Sequence, residues 1–305
     1  MRIAIIGRTA ALLESATRLA EAGHTIGLVV TARPAPEYGG DEQAFSEFAA
    51  SHGATFLSTP TFERQMVATS AAGIDVGVSL NYPTVIGQAV IDSFRLGILN
   101  AHGGDLPRYR GNACQAWALL QGEPRIGLCI HRMVGDHVDA GDIVVRRHLD
   151  VTIDSRVGEV MAWMEREVPA MFVDAVARVG QPAATFERQD PAAALRCYAR
   201  RPEDGRIDWR ADHEAVLRLI NASSEPFSGA FTSYRGDKFV IWRAALVSDE
   251  PPYLAVAGQI ARIDRATGTA DVLTGRGALR LIEVEVGGVR GTPAAVLKST
   301  RERLV

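Results

Sequence analysis

Cysteine is scarce in this 305-residue chain: Cys114, Cys129 and Cys197 are the only three, and they are widely spaced. That number and scatter exclude a disulfide framework or a cysteine-based zinc site and suit a reducing compartment. No apolar run approaches the roughly 20 residues that span a bilayer, so no membrane partner is expected. Met1 leads at once into "RIAII", with no basic segment and long apolar run of a secretory signal; a cytoplasmic protein is expected. Charge of one sign is also missing. Thirty-three Lys and Arg stand against 36 Asp and Glu, a formal net charge of -3, without the basic excess of a protein that holds a long polyanion. Nucleic acid is therefore not the expected partner. "GRTAALLES" has neither a GxGxxG pattern nor a Walker Lys-Ser/Thr pair, which removes the common nucleotide loops.

What is present is a repeated alternation of strands and helices. "RIAII", a helix ended by Gly23 and an apolar strand at 25–30 form a β-α-β unit, continued by a helix near 42–51, a strand near 54–57, a helix after Pro60 and a buried strand at 75–80. Such repetition implies a Rossmann-like α/β fold, a mostly parallel sheet with helices on both faces. "RLGILNAH" supplies a further strand, "ACQAWALLQG" a helix, "IGLCIHRM" and "DIVVRRHLDV" two strands around a turn, and 155–179 a long helix. From 186 to 211 the sequence is rich in Pro, Ala and charge with little periodicity, and reads as a linker. After it, 212–305 predicts one helix, five or so short strands between glycine turns, and a closing helix at "TPAAVLKSTRERL". That is the pattern of a small antiparallel β-barrel, OB-like. The expected domains are thus 1–185, catalytic, and 212–305, joined by 186–211.

The chemistry is expected at "GILNAHGGDLPRYRGNACQAW", residues 97–117. Ligands of parallel α/β sheets bind beyond the carboxyl ends of the strands, and here a strand runs into Asn100 and His102. An amide can serve a developing oxyanion and an imidazole can move a proton near neutral pH; a turn-capping Asn and an ordinary loop His explain the same pair. A second polar cluster, "HRMVGDHVDAGD", offers Asp136, Asp139 and Asp142 between two strands. A carboxylate beside His102 would orient the ring and raise its basicity, whereas Asp is also common in solvated hairpin turns. His131, Asp136, His137 and Asp139 are potential metal ligands, but their spacing matches no metal motif and no metal is expected. Arg108 and Arg110 suit either an anionic substrate or plain surface, and Tyr109 and Trp117 either stacking or core.

The run "NAHGGDLPRYRGNACQAWALLQGEPRIGLCIHRMVGDHVDAGDIV" resembles the signature of the folate-dependent formyltransferases: Asn-x-His, Leu-Pro-x-Tyr-Arg-Gly, Trp, Gly-Glu, an Ile-His-x-Met strand and Asp-x-Gly. The layout with a C-terminal barrel is similar to methionyl-tRNA formyltransferases and to the amino-arabinose formyltransferase domain, whose linker and barrel entrance resemble "RRPEDGRIDW" and "PFSGAFTSYRGDKFVIW". The resemblance implies N10-formyltetrahydrofolate as formyl donor. It makes Asn100 the holder of the formyl oxygen, His102 the proton carrier and Asp139 its support. Thr84, Val85 and Ile86 would offer backbone groups to the pterin, Gly135, Asp136, His137 and Val138 would close over it, and Asn112 would contact the donor. Tyr82, Arg108, Tyr109 and Arg110 fall on the acceptor side. Two departures stand out. The loop between His131 and Asp139 is one residue longer than usual, which makes Asp136 a rival for the acid role, and the family's common Ser is Gly104, followed by Asp105.

The implied reaction needs no enzyme nucleophile, because the acceptor's own amine attacks once it is neutral. A tRNA formyltransferase should carry a long basic insertion after the second strand, yet "TARPAPEYGGDEQAFSEF" is short and net acidic. A small-molecule amine is therefore expected, with an amino sugar on a nucleotide ahead of hydroxyornithine and tRNA. Formyltetrahydrofolate hydrolases share an Asn, His, Asp site but usually begin with a regulatory domain. A homodimer is one of the oligomeric states left open.

Overall fold

The computed structural model describes residues 1–34, 40–63, 73–135, 137–248 and 253–305. The helix expected after Pro60 falls on 64–72 and lies outside the described residues, as does Asp136. Two compact units divide the chain: Met1–Cys114, Ile126–Leu149 and Ala162–Tyr198 form the first, and Gln115–Arg125, Asp150–Met161 and Ala199–Val305 the second.

The first unit is built on β1 (Arg2–Gly7), β2 (Thr25–Thr31), β3 (Thr55–Ser58), β4 (Val76–Leu80), β5 (Ile98–His102), β7 (Arg125–Arg132) and β8 (Ile143–Asp150), with β6 (Tyr109–Gly111) outside the main sheet. The order across the sheet is β3-β2-β1-β4-β5-β7-β8. Strands β3 to β5 pair in parallel, while β5 meets β7 antiparallel. The fold is thus the mostly parallel α/β sheet the periodicity predicts. Runs such as "IAII" and "IGLVV" are buried along their whole length: Ile3 and Ile5 pack with helix residues such as Leu12, Phe45 and Phe172, and Ala4 and Ile6 with Phe62, Ile86, Val90 and Phe94. Among these helices, α1 (Ala10–Glu21) is capped by Thr9 Oγ1, which accepts from Leu12 N at 3.3 Å, and α2 (Glu42–Ser51) by Asp41, which accepts from Gln43 N at 2.9 Å. A short α3 (Gln88–Ile91) follows; farther along the chain come α4 (Cys114–Gln121), which falls to the second unit from Gln115 on, and α5 (Val157–Val179), which belongs to the first from Ala162 on. Ile3, Ile5, Leu12, Phe45, Leu99 and Phe172 form the centre of the core. The stretch expected as a linker contributes β9 (Leu195–Cys197), which pairs in parallel with β6.

The second unit holds α6 (His213–Ser223), capped by Asp212, and the antiparallel strands β10 (Ala230–Tyr234), β11 (Asp237–Leu246), β12 (Ile260–Asp264), β13 (Thr269–Leu273), β14 (Ala278–Val286) and β15 (Val289–Gly291). Their order is β10-β11-β14-β13-β12, with β15 on β14. The closing helix expected at 292–304 is reduced to one turn, α7 (Pro293–Val296). The tail beyond it is extended instead. Val305 exchanges hydrogen bonds with Ser233 beside β10, and Gln259 bridges Arg303 beside β12, so the tail satisfies edge groups of the two terminal strands. Leu297 and Leu304 are buried by this path.

Candidate active site

Asn100 and His102 both lie inside β5, so the period of two puts them on one face. The antiparallel register with β7 sets Asn100 opposite His131 and His102 opposite Cys129. Asn100 Nδ2 is 3.3 Å from His131 Nε2. Asp139 enters from the β7–β8 connection with φ +53°, the left-handed region that costs a non-glycine residue energy and marks an over-determined position. Its Oδ2 lies 3.4 Å from His102 Nδ1, and its Oδ1 3.3 Å from His131 Nε2. Gly111 N–H donates to Oδ2 at 2.9 Å.

Hydrogen-bond partners assign the protons. His102 Nε2 is 2.6 Å from the Tyr109 carbonyl, and a carbonyl oxygen only accepts, so Nε2 carries the hydrogen. In the neutral ring the Nδ1 lone pair then faces Asp139. Burial lowers the His102 pKa from 6.5 and prevails over the carboxylate, which raises it. The ring is therefore a neutral base at pH 7 with a counter-ion waiting for its cation. Burial works to raise Asp139, but His102, His131 and the Gly111 amide outweigh it and hold the carboxyl well below the usual range. His131 Nδ1 donates to the Arg132 carbonyl at 2.9 Å. With Nδ1 donating, its Nε2 is placed to accept from Asn100 Nδ2.

Gly135, which opens one segment expected to hold the donor, lies against Gln88, two residues past the other. Gly135 N–H donates to Gln88 Oε1 at 2.8 Å, and a Cβ on Gly135 would lie 2.2 Å from Gln88 N. Val85 and Val138 on these segments, and Val134 next to the second, are exposed apolar side chains, at 72%, 39% and 42%. Ile86 is buried, the Thr84 hydroxyl donates to the Pro60 carbonyl at 2.8 Å, and His137 is exposed. Beside them, Gln88, Arg95, Arg132, Met133 and Gly141 line an open cleft of about 430 Å³.

Other expected residues have different tasks. Tyr109 is buried, and its carbonyl reaches the site. Tyr82 donates to the Thr59 carbonyl at 2.8 Å, and its hydroxyl is pushed up to about 12 by burial. Arg108 is exposed over the Tyr109 ring, 5.4 Å from its centroid. Asn112 is exposed, and its N–H donates to the Cys197 carbonyl at 3.1 Å. Asp105 braces β8, pairing with Arg146 and lying 3.1 Å from His148 Nε2. Gly104 leaves no room for the family's Ser: a Cβ there would be 2.3 Å from the Tyr109 oxygen and 2.6 Å from His102 Nε2. Among the described residues no group of three or more His, Cys, Asp and Glu could hold a metal, and no helix is long and apolar enough to cross a membrane.

Sequence reasoning missed Gln189. Its Nε2 donates to the carbonyls of Asp139 at 2.8 Å and Gly141 at 2.7 Å, while its Oε1 accepts from Arg110 Nε and Nη2 at 3.0 and 2.7 Å. It ties the strained Asp139 backbone to β6. Ser79, the register partner of Asn100 on β4, was missed as well; its buried hydroxyl has no hydrogen-bond partner among the described residues.

Residues 1–176 match the formyl transferase family and residues 200–300 the formyl transferase C-terminal domain. Over 302 residues the chain is 28% identical to methionyl-tRNA formyltransferase of Solibacter usitatus, covering 97% of this chain and 94% of the relative. The N-formyltransferase from Helicobacter canadensis, solved with folinic acid and dTDP-3-aminofucose, has a TM-score of 0.68 at 12% identity, covering 93% of this chain and 98% of that one. HypX from Aquifex aeolicus, solved with tetrahydrofolic acid, has a TM-score of 0.63 at 17% identity, covering 98% of this chain. The chain spans about half the length of HypX, 47%, and likenesses at such identities show the fold alone. The two family matches decide the assignment: this chain belongs to the formyl transferase family, with matches to both its N-terminal and its C-terminal domain.

Proposed function

We propose that this folate-dependent formyltransferase moves the formyl group of N10-formyltetrahydrofolate to the primary amine of a small molecule, an amino sugar linked to a nucleotide. The observation that carries formyl transfer is the neutral His102 ring, its Nε2–H committed to the Tyr109 carbonyl and its Nδ1 lone pair set 3.4 Å from Asp139. The donor, when bound, supplies the formyl carbon. Val85, Val134 and Val138, with the backbone of Thr84 to Ile86 and of Gly135 to Val138, would hold its heterocycle, and Asn112 would contact it. Asn100 Nδ2 would donate to the formyl oxygen as charge develops there, a role whose removal typically costs about 3 kcal/mol. His102 Nδ1 would take the amine proton, and Asp139 would stabilise the imidazolium. As the new C–N bond forms and the bond to N10 breaks, the proton on His102 is available to the departing nitrogen.

The acceptor reading rests on two features. Residues 32–41 hold one Arg against one Glu and one Asp, which gives no basic insertion for RNA phosphates. In addition, the Helicobacter canadensis structure that shares this layout was solved with a nucleotide-linked amino sugar. Methionyl-tRNA as acceptor is the second reading, favoured by the near full-length likeness to the Solibacter usitatus enzyme. Incubation with formyl donor and a panel of nucleotide amino sugars, hydroxyornithine and charged initiator tRNA, read by mass spectrometry, should show formylation of the sugar nucleotides alone. Formylation of the tRNA alone would overturn the acceptor. Donor breakdown without any acceptor would make the chain a hydrolase.

A further inference from the structure

Strand β6 has two occupied edges. On one, the Tyr109 carbonyl and the Gly111 N–H hold His102 and Asp139. On the other it pairs with β9, and the register places Arg110 opposite Arg196. Like charges at opposed positions of neighbouring strands repel, and among the described residues neither guanidinium forms an ion pair. Arg110 gives Nε and Nη2 to the uncharged Gln189 amide, which fixes its direction without cancelling its charge. Arg196 lies against Gly111, where a Cβ would be 3.3 Å from its Cζ and Nε. Its guanidinium is also 5.8 Å from the centroid of the Tyr198 ring, which is 70% exposed. Arg110, oriented by Gln189, and the exposed Arg196 beside the Tyr198 ring thus face each other across β6 and β9, and the two residues that flank Arg110 hold the proton-transfer pair. An anion with several acceptor oxygens completes such an arrangement.

We infer that Arg110 and Arg196 form the seat of a phosphate group on the acceptor, flanked by Tyr198. The inference deepens the proposed function and rests on its reading of a phosphate-bearing amine. The positive field of Arg110 reaches His102 and lowers its pKa, so an anion seated there would also favour the protonated ring. The phosphate could belong to a nucleotide sugar or to the backbone of an acceptor tRNA, and the test separates the two.

The probes are inorganic pyrophosphate, dTDP and charged initiator tRNA, titrated calorimetrically into wild type, Arg196→Gln, Arg196→Lys and Arg110→Gln, with circular dichroism to confirm the fold. Loss of one charge-assisted contact should weaken pyrophosphate and dTDP about tenfold or more, and Arg196→Lys should recover part of the loss. Equal pyrophosphate affinity in wild type and Arg196→Gln overturns the seat, as does absence of binding of all three probes to wild type. If wild type binds the tRNA but not dTDP, the small-molecule reading falls while the seat is still tested: Arg196→Gln should then reduce the slope of log affinity against log salt by about one. An unchanged slope overturns the seat. Formylation of a phosphate-free amine as efficiently as its nucleotide form overturns the acceptor reading, whatever pyrophosphate does.

Discussion

Replacing Asp139 by Asn probes the proposed charge arrangement with little change of shape. The Asn oxygen can keep the Gly111 N–H that Asp139 Oδ2 now accepts at 2.9 Å, which turns the amide nitrogen toward His131. The tautomer of His102 should survive, because the Tyr109 carbonyl fixes it, not Asp139. What is lost is the anion 3.4 Å from Nδ1. At an effective dielectric near 20 that attraction is about 5 kcal/mol; with part of it returned by the Asn dipole, roughly 4 kcal/mol of support for the imidazolium disappears. The kcat/KM for formyl transfer should fall about a thousandfold, measured as initial rates at pH 7.5 with saturating donor and varied acceptor. Circular dichroism should match wild type, while the unfolding midpoint should fall, because the folded state favours the ionised Asp139 carboxyl. Activity within tenfold of wild type would refute the reasoning.

Further outcomes follow from the same contacts. Gln189→Leu removes both donors that hold the carbonyls of Asp139 and Gly141, so kcat should drop roughly ten- to a hundredfold and urea unfolding should show a loss of about 1–3 kcal/mol; wild-type kcat would show that the Asp139 backbone is held without it. Gly104→Ser should force Tyr109 and His102 apart and cost at least about tenfold in kcat, read by steady-state kinetics; full activity would show that the chain relaxes around a side chain there. Burial keeps the folded His102 pKa below 6.5, so the unfolded chain takes up a proton that the folded chain refuses. The stability from the neutral ring is complete above pH 6.5 and is lost as pH falls toward the folded value, by at most about 1.4 kcal/mol per pH unit. Urea unfolding of wild type and His102→Phe at pH 7.5 and 5.5 should give a steeper loss for wild type; equal slopes would contradict the assignment.

The sheet was legible because its strands are continuous apolar runs and its helices carry a separate period, so strand and helix could be told apart locally. The shared face of Asn100 and His102 was legible for the same reason, through the two-residue repeat. His131 beside Asn100 was not, because that contact depends on the antiparallel β5–β7 register, which no local pattern sets. Gln189 lies 50 residues from Asp139 in a stretch without periodicity, and the Tyr109 carbonyl and Gly111 N–H act through backbone that carries no residue signature. The tail misled in the other direction. "AAVLKSTRERL" is rich in helix formers, but the edges of β10 and β12 offer it backbone partners that only the assembled second unit provides.

Direct transfer to the amine, with the enzyme contributing only positioned donors and a base, is tested most directly by the fate of the label. Donor carrying an isotopically labelled formyl carbon is mixed with the protein and with the amine found by the acceptor panel, quenched over several turnovers, and the label is partitioned. All of it should appear as the acceptor's formamide, in proportion to tetrahydrofolate released, with none bound to protein and none as free formate. Label on the protein, or formate released in place of the amide, would contradict the account.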